Sequence, residues 1–373
     1  MSGQEIKSSL RKMDFPQCTQ EALNKIGQLI CGKVPSLKQM DLALDLISEF
    51  VFCEVDKRGN KIAPLNPLKE LQLIEVLFDY FNGIQTESHR NTVFLSIFSG
   101  TTFALRSVIL SRLISIAIGM PSEPVLVSAS AWMQQLGNTS INCNKLAESV
   151  IRDYFVLVPN GAQRLNLLSN CAPQFVANFL TAVSEIYFTD IKGTINFPPE
   201  SLLNAVTNWI EGNYKLCIAA QQNPSVLPPG AIAMETTTPI AGLLKWCILA
   251  PIFNQNSNLY SRLHLALLNS LLEIPIVSPP RAVSAKHLTT SVGYLCRFTM
   301  DIKTRRKKDD TDTIIFDLNE MLILALDRYA QAVQVALSVK CVYGNIGDLI
   351  SQLCQLPQHK ILSIVICSHQ VNK

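Results

Sequence analysis

Apolar residues recur at steps of three and four along nearly the whole chain, which commits it to stacked helices. Between Ile314 and Val339 the positions Ile315, Leu318, Leu322, Ala325, Tyr329, Ala332 and Ala336 keep that spacing, while Asp317, Glu320, Asp327, Gln331 and Gln334 line another face. A period near 3.6 residues puts each set on its own side of a helix. Pro67 to Phe81 repeats the pattern with Leu71, Ile74, Phe78 and Phe81, after Asn66 and Pro67. Asparagine there can accept from the first free N–H groups, and proline's fixed φ suits a first helical position whose N–H has no partner anyway. Thr238-Pro239 opens another helix in the same way.

Comparable segments fall at about 19–31, 39–53, 88–99, 103–119, 123–136, 142–157, 172–188, 199–211, 256–273, 282–300 and 345–367. Turn chemistry separates them at Arg58-Gly59-Asn60, Pro159-Asn160-Gly161, Phe197-Pro198-Pro199, Pro228-Pro229-Gly230 and Ser278-Pro279-Pro280. No sustained strand alternation and no hairpin signal stands between them. The expectation is an all-α fold, an irregular HEAT/armadillo-like α-solenoid of serial antiparallel helices, in one domain over 1–373. No tetratricopeptide period of about 34 residues emerges, so degenerate pairing of about 40 to 47 residues fits better, with a compact helical domain as the alternative. The Pro-rich stretch 223–239 is the best internal joint, and 303–313 reads as a basic loop.

This much apolar material needs cover. Hydrophobic residues make up 48% of the 373 and charged ones 16%, against roughly 25% charged in an average soluble domain. No membrane span absorbs the surplus: the longest apolar stretch, Leu105 to Met120, is interrupted by Arg106 and Arg112, whereas a transmembrane helix needs about 20 largely uncharged residues. The start, Met1-Ser2-Gly3-Gln4-Glu5, lacks the basic and apolar regions of a secretory signal, so the chain is expected inside the cell. Its eleven cysteines are scattered singly with no C-x-x-C pair, and are expected to be buried reduced thiols, many of them on apolar helices (Cys31, Cys217, Cys247, Cys341). The sequon Asn138-Thr139-Ser140 then reads as a turn. A net charge of +3 is too weak to argue for nucleic acid, which is met by a clustered basic face.

No constellation carries catalysis. Neither G-x-x-x-x-G-K-[ST] nor G-x-G-x-x-G occurs, and His89, His264, His287, His359 and His369 never form the i, i+4 pair of a helical metal site. His264 alone sits on a strongly apolar helix, where a hydrogen-bonded packing role outweighs that of a base without partner or nucleophile. Glu70 with Glu75, and Arg152 with Asp153, read as helix surface. The run Lys303-Thr304-Arg305-Arg306-Lys307-Lys308-Asp309-Asp310 fits a nuclear import signal or a solvated loop, ahead of a nucleic-acid patch, because no aromatic platform accompanies it. Trp132, Trp209 and Trp246 lie in apolar helices, which favours core over interface hot spots.

Several segments, taken in order, resemble the Integrator complex subunit 15 family. They are Glu49-Phe50-Val51-Phe52; Leu65-Asn66-Pro67-Leu68-Lys69-Glu70-Leu71-Gln72-Leu73-Ile74-Glu75; Asp153-Tyr154 with Leu157-Val158-Pro159; and Thr238-Pro239-Ile240-Ala241-Gly242-Leu243-Leu244-Lys245-Trp246-Cys247 with Ala250-Pro251. Tyr260-Ser261-Arg262-Leu263-His264-Leu265 and Leu326-Asp327-Arg328-Tyr329-Ala330-Gln331-Ala332-Val333-Gln334-Val335-Ala336 complete the set. The resemblance implies a non-catalytic nuclear scaffold without cofactors, linking the Integrator module of subunits ten, thirteen and fourteen to the core. The implied processes are small nuclear RNA 3′-end formation and attenuation of RNA polymerase II transcription, with the polymerase machinery met indirectly; composition, not the resemblance, argues against a membrane partner and against direct nucleic-acid binding. It departs from vertebrate members in lacking a Pro/His-rich tail, and in carrying only Asn254-Gln255-Asn256-Ser257-Asn258 where those have a longer basic insert. Import would then fall to Arg305, Arg306, Lys307 and Lys308.

Within the matching segments, the candidates for partner contact are Glu70, Gln72 and Glu75 on one helix, Arg328, Gln331 and Gln334 on another, and Trp246. Their competing role is hydrogen bonding or packing between helices. Two other functions stay open at this level: a helical enzyme with an unrecognised site around His264, and an RNA-binding adaptor acting through Lys303 to Lys308.

Overall fold

A computed structural model describes residues 3–31, 35–61, 65–98, 104–157, 165–191, 194–232, 234–235, 237–253, 255, 257–275, 279–306 and 312–370. The described residues are overwhelmingly helical, so the expected all-α class is what the chain adopts. The first third holds α1 (Gly3–Leu10), α2 (Gln17–Ile30), α3 (Leu37–Leu46), α4 (Pro67–Gly83), α5 (Glu87–Phe98) and α6 (Ala104–Gly119). Then come α7 (Glu123–Leu136), α8 (Ile141–Ile151), α9 (Leu168–Cys171), α10 (Pro173–Ile186), α11 (Glu200–Gly212) and α12 (Ala219–Gln222). The last third holds α13 (Ile240–Leu249), α14 (Asn258–Leu272), α15 (Ala285–Arg306), α16 (Asp312–Ser338), α17 (Ile346–Leu353) and α18 (Lys360–Gln370). Two minimal strand pairs tie loops together: β1 (Asp190–Ile191) with β2 (Thr194–Ile195), antiparallel, and β3 (Val283–Ser284) with β4 (Val342–Tyr343), parallel.

Local chemistry starts the helices where the sequence announces them. Asn66 accepts from the Lys69 N–H at 2.9 Å with Pro67 in the first turn of α4, and Ser36 forms a reciprocal capping box with Gln39 on α3. Ser140 of the sequon caps α8, while Asn138 is buried and donates to Asn178 at 2.8 Å, so the sequon is a turn. Helices α3 and α8 each run on into a π-helical turn, Ile47–Val51 and Arg152–Val156, which carries them close to the expected ends.

Two expectations need correcting. The single helix expected over 345–367 is two, α17 and α18, because Pro357 has no N–H to continue a helix and biases Leu356 away from helical backbone. The basic loop expected over 303–313 is helical up to Arg306 and again from Asp312; basic residues at the end of α15 suit the negative end of its dipole. Residues 307–311 lie outside the described residues.

The principal helix packings join helices no more than three apart in chain order: α2 lies on α3, α4 and α5, α7 on α5, α6 and α10, and α13 on α10, α14, α15 and α16. Such nearest-neighbour order is how serial helices bury one another's apolar faces. One hydrophobic cluster nevertheless runs from Ile6 to Val365. The Pro-rich stretch folds back onto the first half of the chain. Buried Asn91 of α5 donates to the Val226 carbonyl at 2.8 Å, Val226 N–H donates to Glu87 at 3.2 Å, and Ser225 N–H donates to the Gln134 side chain of α7 at 3.0 Å.

Candidate interaction surface

The sequence candidates divide into an inner set and an outer set. Trp246 is fully buried at 0% exposure; its indole N–H donates to the Ser184 carbonyl at 3.2 Å, and its ring meets Tyr187 edge-on at a centroid distance of 5.6 Å. Phe188 extends this aromatic core toward Phe197, Phe253 and Tyr260, and holds a left-handed backbone at φ 52 to do so. In the folded chain, Trp246 therefore joins α10 to α13 and presents nothing outward.

Arg328 is 7% exposed and spends its guanidinium indoors. One nitrogen donates to the Cys247 carbonyl at 2.6 Å and another to the Ser261 hydroxyl at 2.7 Å. The first bond has a local cause. A helical carbonyl at Cys247 would be met by the N–H four residues on, but that residue is Pro251. Arg328 replaces the missing donor from α16, and its positive charge suits the C-terminal end of α13. His264 completes the corner: its Nε2 lies 3.0 Å from the Arg328 carbonyl and so carries the proton. Burial pushes the His264 pKa down to about 4, the adjacent Arg328 charge works in the same direction, and the bond to Arg328 opposes them. At 5% exposure in a helix-packed interior, with no carboxylate bonded to the ring among the described residues, His264 has the setting of a packing residue.

Glu70 pairs with Arg112 and so ties α4 to α6. Gln72 is half-buried, whereas Glu75 is exposed on the α4 face that also presents Leu68 and Leu71. Gln331 and Gln334 are exposed on α16. Steps of three and four place them on the same stripe as Phe316, Glu320, Ile323 and Asp327, so the outward face of α16 runs from apolar and acidic to neutral polar. Arg305 and Arg306 are exposed at the end of α15; Lys307 and Lys308 lie outside the described residues.

One ionic group around buried Lys245 carries no motif in the sequence. Lys245 on the apolar helix α13 reaches Thr189 at 3.2 Å, and Glu185 of α10 pairs with His287 of α15 at 3.3 Å. Burial lowers the Lys245 pKa against the pull of Glu185. Burial works to raise that of Glu185, but the bond to His287 and the charges of His287 and Lys245 bring it below its usual range. The lone lysine in Leu243-Leu244-Lys245-Trp246-Cys247 was the available signal.

The cysteines are mostly sheltered, as expected: Cys217, Cys247 and Cys341 are buried, with burial pushing each thiol up to about 12, and Cys31 is half-buried. Cys354 and Cys367 depart from that expectation and are exposed, the first just after α17 and the second on α18. Among the described residues no helix is long and apolar enough to cross a membrane.

Comparison with known proteins agrees along the length of this fold. The family described as Integrator complex subunit 15 matches residues 4–358. Integrator complex subunit 15 of Drosophila melanogaster is 35% identical, over 99% of each chain. Its namesake from Mus musculus is 27% identical over 97% of this chain and 86% of its own, and that from Danio rerio 28% over 87% and 71%. A match that runs from α1 to beyond α17 takes in both the Trp246 core and the Arg328 corner, and the chain belongs to the Integrator complex subunit 15 family.

Proposed function

We propose that this chain is a non-catalytic scaffold subunit of the nuclear Integrator complex, linking the module of subunits ten, thirteen and fourteen to the core. It would act in small nuclear RNA 3′-end processing and in attenuation of RNA polymerase II transcription. The observation that carries the reading is the family match over nearly the whole chain. The architecture supports it: serial helices offer long exposed faces for protein partners, and the chemistry-bearing side chains at the Arg328 corner are consumed in holding helices together.

The proposed contact residues are Glu75, Gln331 and Gln334, which the fold leaves exposed, with half-buried Gln72 beside Glu75 on α4. Arg305 and Arg306, with Lys307 and Lys308, are the proposed import signal. Depletion of this chain tests the linker role. Purification through a core subunit should then lose subunits ten, thirteen and fourteen while the rest of the core stays together. Their undiminished recovery would refute the linkage.

A further inference from the structure

The outer face of α16 forms one wall of an open groove of about 760 Å³. Asp317, Glu320, Met321, Ile323, Leu324 and Asp327 line it, together with Pro251 from outside α16. Two of the lining side chains are apolar and outward, Ile323 at 57% exposure and Leu324 at 45%, and two turns before Ile323 on the same stripe of α16 Phe316 is 61% exposed. The stripe from Phe316 to Asp327 spans three helical turns, about 16 Å at 1.5 Å per residue. Charge on the groove has one sign. Among the described residues, three carboxylates line it and no Lys or Arg does. Asp327 accepts from His359 Nε2 at 2.8 Å, whereas no described cation lies within ion-pair distance of Asp317 or Glu320.

We propose that this groove docks an amphipathic helix of another subunit, one whose apolar stripe is flanked by lysine and arginine. Apolar side chains at helical spacing would cover Phe316, Ile323 and Leu324, as helix-in-groove recognition requires. The flanking cations would meet Asp317 and Glu320, which fixes register and excludes acidic helices. Neutral Gln331 and Gln334 continue the stripe and offer hydrogen bonds beyond the charged section. The inference rests on the reading of this chain as an assembly subunit, and it assigns that reading a place and a partner chemistry.

The test uses the full chain and a designed 18-residue helical peptide with leucine at helical spacing and lysine elsewhere. A counterpart carries glutamate for lysine. By fluorescence anisotropy the lysine peptide should bind and the glutamate peptide should not. Asp317→Lys with Glu320→Lys should weaken binding at least tenfold, and so should Ile323→Ser. Asp79→Lys on α4 should leave it unchanged, and circular dichroism of each variant guards against misfolding. Equal binding by all variants, or none by the parent chain, overturns the proposal. A dimer that dissociates on Ile323→Ser in sedimentation would also overturn it, since the occupant would be a second copy. If the peptide binds but the tagged chain recovers no Integrator subunit, the assembly reading fails and the groove stands. If subunits are recovered but the peptide does not bind, the groove fails and the assembly reading stands.

Discussion

Arg328 supplies from another helix the hydrogen bond that Pro251 withholds from Cys247. Arg328→Met keeps much of the side-chain volume but leaves a buried carbonyl unmet, at a cost of about 2 kcal/mol, read as a lower urea midpoint; an unchanged midpoint would contradict the role. His264 predicts a pH dependence of definite sign. Its folded pKa, about 4, lies below the ordinary 6.5, so the unfolded chain takes up the proton first as pH falls. Stability is full above about 6.5 and declines toward 4, with about 2 kcal/mol lost between pH 7 and 5. His264→Gln should flatten that slope, as urea midpoints at the two pH values would show. The packing role of His264 was legible from its apolar helix. The role of Arg328 was not, because its acceptors stand 81 and 67 residues away and spacing along α16 says nothing of them.

At the scale of the helix, the sequence was most readable where a cap and periodicity coincide, as at Asn66-Pro67. It was less readable where two signals compete. Lys303 to Arg306 looks like a loop because charge dominates it, yet the same charges stabilise the end of α15. Leu356-Pro357 sits inside an apolar period that hides its break. Close approach of helices is likewise invisible in one dimension. Gly242 of α13 lies so near Ser184 of α10 that an added Cβ would overlap its hydroxyl, and the same segment donates the Trp246 bond to the Ser184 carbonyl. Gly242→Ala should cost about 1–3 kcal/mol through overpacking, partly recovered by Ser184→Gly; a neutral effect on thermal unfolding would rule out that contact. Mutating Arg305, Arg306, Lys307 and Lys308 to serine should shift a fluorescent fusion from nucleus to cytoplasm, and unchanged nuclear signal would remove this segment from import.

Over the whole molecule, a chain low in charge hides most of its apolar residues in one cluster running through both halves. It still leaves outward apolar faces, Leu68 and Leu71 on α4 and Phe316, Ile323 and Leu324 on α16, where a free-standing protein would carry polar groups. Those faces, the family match and the inward commitment of Trp246, Arg328 and His264 all fit a chain completed by partners. The direct measurement is affinity purification of the tagged full chain from nuclear extract, with mass spectrometry of what it retains. Stoichiometric Integrator subunits, including ten, thirteen and fourteen, are the predicted result. A clean preparation of the chain alone would contradict it.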